Sequence, residues 1–290
     1  MTAGVSEIDV GTARLAHVQR GGGAPVFLVH GSSSDHRTWD PVLDGLAERL
    51  RPIAYSRRYH WPNQPIAEGA DYSMIEHVDD LERLIGALGA APAHLVGHSY
   101  GGFLCLLLAM RRPELVRSLV LAEPPVITLF TSSRPKPGEM LRLLATRPRT
   151  AIAIAKFGAA GLAPAVAALR RGDREAAFDR FSHAVLGRDR AKRLSPERRQ
   201  QGLANLIPAE LLGSGFAPLD PDQVRAIGCP TLLVSAAESP RLFHHLIDRL
   251  AELLPRAGRA EIPAASHIMH EDNPAAWTAA VLAFVTALPG

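Results

Sequence analysis

Short apolar runs that alternate with helical segments restrict this chain to few architectures. Residues 25–30 read P-V-F-L-V-H and are closed by Gly31. A nearly all-apolar run of that length is how a strand buried on both faces reads. The same reasoning predicts strands at 51–56, 93–97 and 116–122, with a hairpin of 5–10 and 14–19 ahead of them. Helices are predicted at 41–50, 74–88 and 100–110. The second of these repeats Met74, Ile75, Val78, Leu81, Leu84, Ile85 and Leu88 at three- and four-residue spacing. Strands that alternate with helices need crossover connections, so the expected fold is α/β, with a mostly parallel sheet and helices on both faces.

The alternation stops after the strand at 116–122. From 128 to 218 there are helical segments and proline breaks but no convincing strand. It resumes with strands at 230–235 and 259–262 and helices at 240–253 and 275–287, for eight strands in all. The expected organisation is therefore a core domain of residues 1–127 and 219–290, interrupted by a helical domain of residues 128–218. Charge marks the same division. Residues 131–200 hold 16 Arg or Lys against 6 Asp or Glu, a net +10 in a chain whose total is only +3.

Composition excludes several classes. At 47% hydrophobic and 21% charged, the 290 residues are ordinary globular material. Arginine supplies 29 of the 32 basic residues, a skew that reads as composition and not as nucleic-acid recognition. Cys105 and Cys229 cannot make a disulfide framework or a zinc site, and Cys105, inside F-L-C-L-L-L-A-M, reads as a small buried hydrophobe. No uninterrupted run of 18 apolar residues occurs, and the first residues have neither a basic nor an apolar leader region. The expectation is a cytoplasmic protein with no membrane or nucleic-acid partner, as a monomer or homodimer.

The chemistry starts at Gly97-His98-Ser99-Tyr100-Gly101-Gly102, where a predicted strand meets a predicted helix. A serine on so tight a turn is pushed out of the sheet edge, and side chains two residues away on either side would meet neighbouring backbone, hence the glycines. The first turn of the following helix brings backbone N–H donors beside the hydroxyl. The plain alternative is a glycine-rich connection with no chemistry. A serine hydroxyl needs a base near neutral pH. His267 follows the last predicted strand and is favoured over His270 because it lies closer to the strand end.

These motifs, with His30-Gly31-Ser32-Ser33 after an earlier strand, resemble the α/β-hydrolase fold superfamily, of the esterase and lipase type with a helical cap. The resemblance covers nearly the whole chain. It implies Ser99 as nucleophile, His267 as base, and the backbone N–H groups of Ser32 and Tyr100 as the oxyanion donors. The triad acid in such proteins usually follows the strand after the cap. Here that stretch is Ala236-Ala237-Glu238-Ser239-Pro240, and serine stands where an aspartate is common. A second arrangement puts the acid at the end of the strand before the cap, which here is Glu123 in L-A-E-P-P. Glu123 is the preferred acid and Glu238 the alternative.

The implied activity is a serine hydrolase of a small to medium hydrophobic carboxylic ester, a carboxylesterase, with no cofactor and no metal. Carbon–carbon bond, amide or lactone hydrolysis, perhydrolysis, cofactor-free dioxygenation and a non-catalytic receptor remain as alternatives. Serine at the elbow excludes the neighbouring enzymes of this fold that use aspartate there. Residues 56–62 read as a solvated loop, and Asp35-His36 as a turn or brace. The aromatics of the insertion (Phe130, Phe157, Phe178, Phe181 and Phe216) read as core or pocket lining.

Overall fold

The computed structural model describes residues 4–213 and 215–288. The expected hairpin forms from β1 (Ser6–Asp9) and β2 (Arg14–Gln19). The remaining strands are β3 (Ala24–Val29), β4 (Leu50–Tyr55), β5 (Ala93–His98), β6 (Val116–Ala122), β7 (Thr231–Ala236) and β8 (Ala257–Ile262). They join one eight-stranded sheet in the order β1-β2-β4-β3-β5-β6-β7-β8. Every pairing from β4 to β8 is parallel, and β2 meets β4 antiparallel.

The crossovers are helical, as parallel pairing requires. Helices α1 (Asp40–Ala47), α2 (Met74–Ala87) and α3 (Tyr100–Arg111) connect the four strands β3 to β6. Side chains alternate across the sheet with period two, so each strand feeds two cores. Phe27, Val29 and Leu95 pack on one face with Leu81 and Leu104 from α2 and α3. Val26, Leu28 and Val96 pack on the other with Trp39, Leu43 and Trp277.

Between β6 and β7 the described residues are helical and contain no strand. They form α4 (Pro137–Thr146), α5 (Pro148–Lys156), α6 (Ala163–Arg170), α7 (Arg174–Leu186), α8 (Arg188–Ala191), α9 (Pro196–Ala204), α10 (Pro208–Leu212) and α11 (Pro221–Arg225). Most of these start on a proline at the first or second helical position, where its missing N–H costs nothing. Ala168, Leu169, Ala177, Phe178 and Leu206 make a small core of their own. α5 runs into α6 through a widened turn at Phe157–Leu162. The continuous stretch Pro148–Arg170 is long and apolar enough by length and composition to cross a membrane. Lys156 interrupts its apolar run. One face of it is buried through Ala151, Ile154, Ala165 and Ala168. The chain ends with α12 (Arg241–Leu253), α13 (Met269–Asp272) and α14 (Pro274–Thr286) around β8.

Polar contacts tie the insertion to the sheet edge. Asp35 is fully buried and accepts from Asn205 Nδ2 at 2.7 Å and Gln201 Nε2 at 3.0 Å. Arg198 pairs with Glu271 at 3.0 Å and Arg190 with Asp272 at 2.5 Å. Asp35 is thus an anchor for α9, a role that its turn-like sequence context does not announce.

Candidate active site

The C-terminal ends of β3, β5, β6 and β8 converge on one edge of the sheet. Ser99 sits between β5 and α3 with φ 50° and ψ −121°. This is a sparsely populated conformation for a residue with a side chain, and it is held by what surrounds it. Glycine is required on both sides. A Cβ on Gly101 would lie 2.1 Å from the Val29 carbonyl oxygen, and one on Gly97 would lie 2.5 Å from Gly102 Cα. The tight turn leaves Ser99 half-buried, its side chain facing a cavity that His267, Ser32 and His98 also line.

His267 follows β8 and lies against the end of β6. Its Nδ1–H donates to Glu123 Oε2 at 2.7 Å. Glu123 is fully buried, has a positive φ of 47°, and accepts two further hydrogen bonds. Ala236 N–H reaches Oε1 at 2.9 Å, and Ser239 Oγ reaches Oε2 at 2.8 Å. Ser239, which stands where the resemblance leads one to expect an acid, therefore donates to the Glu123 carboxylate instead. Glu238 is exposed and makes no contact with His267. Glu238 is not brought to His267, because its side chain leaves the strand end towards solvent.

The other imidazole face is also held. Phe243 from α12 stacks on His267 with ring centroids 3.9 Å apart and planes 19° apart. His98 Nε2–H donates to the His267 carbonyl at 2.7 Å. His267 Nε2 is buried and hydrogen-bonds to no described residue. It therefore remains available on the cavity shared with Ser99. Catalytic hydrogen bonds are often long before substrate binds. His270 is placed otherwise. Its Nε2 bonds Thr38 Oγ1 at 2.9 Å, its ring packs on Trp39, and it does not line the cavity. Burial lowers its pKa to about 4, so it is a neutral brace.

Ser32 and Tyr100 line an adjoining cavity that also reaches Ser99. The Ser32 N–H donates to no described backbone carbonyl, and the Tyr100 N–H, first in α3, has no partner one turn back. Gly31 permits the close approach, since a Cβ there would come 3.1 Å from Ser99 Cβ. Ser33 adopts φ 50° beside it.

Beneath Tyr100 lies a buried cluster that the sequence pattern did not reveal. Arg57 is fully buried, not solvated as its loop context suggested. It donates to the His30 and Gly31 carbonyls at 3.1 and 3.2 Å, to Tyr72 OH at 2.9 Å and to Glu210 Oε2 at 2.9 Å. Its guanidinium also lies 4.5 Å from the Tyr100 ring centroid. Glu210, from α10, closes the cluster from the insertion side and bonds Tyr72 OH as well. His30 and His60 accept from the backbone N–H and the guanidinium of Arg57 respectively, and burial holds both far below the ordinary imidazole pKa. Nothing in the periodicity around residues 56–62 signals this, because the partner arrives from 153 residues away.

The cavity over Ser99 is about 150 Å³ and mostly apolar, walled by Phe157, Phe181, Val185, Phe216 and Phe243, with Glu210 on one side. All of these walls but Phe243 come from the insertion, three of its aromatics among them. Among the described residues no group of three His, Cys, Asp or Glu side chains could hold a metal ion. The arrangement can raise a serine hydroxyl's nucleophilicity and hold an imidazole in one tautomer by a buried carboxylate.

Comparison with known proteins agrees with the fold. Residues 26–281 match the model of the alpha/beta hydrolase family. The chain is 26% identical over 274 residues to "Putative carbamate hydrolase RutD" of Azorhizobium caulinodans, covering 94% of this chain and 96% of that one. A local match of 113 residues is 32% identical to 2-(acetamidomethylene)succinate hydrolase of Mesorhizobium japonicum, covering 39% of this chain and 40% of that one. Among solved structures, a thermophilic esterase from Thermogutta terrifontis superposes with a TM-score of 0.74 at 23% identity, covering 98% and 99% of the two chains. Carboxylesterase CesB of Bacillus subtilis gives 0.71 at 17% identity, covering 100% of this chain and 93% of that one.

Proposed function

The chain belongs to the alpha/beta hydrolase family, and on that premise we propose that this hydrolase cleaves carboxylic esters through a serine acyl-enzyme. Ser99 attacks the acyl carbon while His267 Nε2 takes its proton. Glu123 holds Nδ1–H and stabilises the imidazolium without taking the proton. The Ser32 and Tyr100 N–H groups receive the developing oxyanion, where one preorganised donor is worth ~3–4 kcal/mol. His267 then protonates the leaving alcohol, and water resolves the acyl-enzyme by the reverse sequence. Residues 128–218 act as a cap on a core of 1–127 and 219–290, shielding the site from water and limiting substrate size.

The observation that carries this reading is the buried 2.7 Å contact of His267 Nδ1 with Glu123, made by an imidazole that shares one cavity with Ser99. A mostly apolar cavity of about 150 Å³ favours a small acyl group. Amide or carbamate cleavage is the second reading. It is favoured by the names of two relatives, a carbamate hydrolase and a hydrolase of an acetamido compound. A fluorophosphonate probe should label the wild-type protein and not Ser99→Ala. A matched panel of p-nitrophenyl esters and p-nitroanilides then separates the two readings. Absence of labelling in folded wild-type protein would refute both.

A further inference from the structure

A second, larger cleft of about 940 Å³ opens between the insertion and the start of α12. Arg149 and Lys156 reach it from α5, Arg180 from α7, Arg188 from α8 and Arg241 from α12. His183 and His245 line it too, and no acidic side chain does. Among the described residues none of the five cations makes an ion pair. Other arginines of the insertion do: Arg147 with Glu252, Arg190 with Asp272, Arg198 with Glu271 and Arg199 with Asp179. The excess charge of this segment is therefore gathered at one concavity as well as spread over a wet outer face.

The five cations are solvent-exposed, and gathered around one hollow they give it a strongly positive potential that is largest at low ionic strength. α12 is 13 residues long and begins at Arg241, so the positive end of its dipole points the same way. His245 is held below the ordinary imidazole pKa by burial first, with Arg241 and Arg149 contributing against Asp248. Phe157 and the buried Leu242 give the cleft an apolar floor. Phe157 also lines the cavity over Ser99, and it packs edge-on against Phe243, the ring stacked on His267. Phe157 thus lies between the cationic cleft and the reactive groups and borders both cavities.

We propose that this cleft binds the phosphate-bearing end of the substrate, so that the natural ester carries a phosphate or diphosphate group remote from its acyl carbon. This rests on the serine hydrolase reading above. A single carboxylate would leave most of the five cations unmatched, whereas phosphate oxygens suit several guanidinium forks at once. The apolar floor receives the organic part that joins the phosphate to the ester.

The test has a binding arm and a kinetic arm. Calorimetric titration of Ser99→Ala with inorganic pyrophosphate at low ionic strength needs no catalysis. Saturable binding is expected, weakened about 30-fold or more by adding Arg180→Glu and Arg241→Glu. In the kinetic arm, kcat/KM for a phosphorylated ester should exceed that of its dephosphorylated analogue by about ten-fold or more at low salt. The Arg180→Glu, Arg241→Glu variant of the active enzyme should lose that advantage and keep its turnover of the neutral ester. Neutral-ester turnover with no phosphate preference and no pyrophosphate binding overturns the cleft assignment alone. Pyrophosphate binding in a wild-type protein that cleaves no ester overturns the hydrolase reading and leaves the anion site standing. Sedimentation with phosphatidylglycerol vesicles without pyrophosphate binding overturns the proposal in favour of a lipid surface.

Discussion

Replacing Glu123 by glutamine keeps the shape of the side chain and removes its charge. Three donors converge on this carboxylate: Ala236 N–H at 2.9 Å, Ser239 Oγ at 2.8 Å and His267 Nδ1 at 2.7 Å. An amide has one acceptor oxygen for these three donors. With that oxygen on the Ala236 side, its NH2 group faces Nδ1, and the imidazole must turn to the tautomer with its proton on Nε2. That tautomer cannot accept the Ser99 proton. The expected loss in kcat is about 10⁴-fold, as for the wrong tautomer in other serine triads. At ~1.4 kcal/mol per decade this corresponds to ~5 kcal/mol of transition-state stabilisation. KM should change little, because Glu123 touches His267 and not the acyl cavity. The assay is initial-rate hydrolysis of p-nitrophenyl acetate and butyrate, with Glu238→Ala as the exposed control. The geometry also permits relocation. Ser239 Oγ lies one hydrogen bond from the oxygen that meets His267, and an aspartate at 239 extends one bond further. Glu123→Ser combined with Ser239→Asp should recover about ten-fold or more over Glu123→Ser alone. Turnover by Glu123→Gln within about ten-fold of wild type, or a greater loss in Glu238→Ala, would refute the assignment.

Three further outcomes follow from the same contacts. Gly101→Ala would force a Cβ against the Val29 carbonyl at 2.1 Å; it should abolish probe labelling and yield little folded protein, read by circular dichroism beside Gly138→Ala, whose Cβ meets nothing. Glu210→Leu leaves the Arg57 guanidinium buried without its carboxylate partner, for an expected loss of about 3–5 kcal/mol; a melting temperature unchanged from wild type would sink the claim that this pair holds α10 to the core. Stability should fall on acidification because burial keeps His30, His60, His77 and His98 well below their ordinary pKa and lowers His94 and His270 to about 4. The unfolded chain takes up protons below about pH 6.5 that the fold refuses, so each such histidine lowers stability by about 1.4 kcal/mol per pH unit from there down to its folded pKa and leaves it unchanged above. Urea midpoints that stay flat between pH 7 and pH 5 would contradict this sign.

Local pattern was sufficient for the elements, the parallel sheet and the elbow. Buried strands and amphipathic helices carry their periodicity in neighbouring residues. The glycines at 97 and 101 answer a steric demand within a few residues of Ser99. The helical interruption between β6 and β7 was legible for the same reason, as was the place of Glu123 at the end of an apolar strand. Contacts between distant segments were not legible. Ser239 looked like a missing acid until the fold set its hydroxyl on Glu123. Residues 56–62 looked solvated, although Arg57 is enclosed by Tyr72, Tyr100 and a glutamate of α10. Burial of a charge depends on a partner whose distance along the chain is unconstrained, and spacing carries no record of it. The cationic cleft is the same case: its five cations come from four helices, and only packing those helices together turns a net charge into a site.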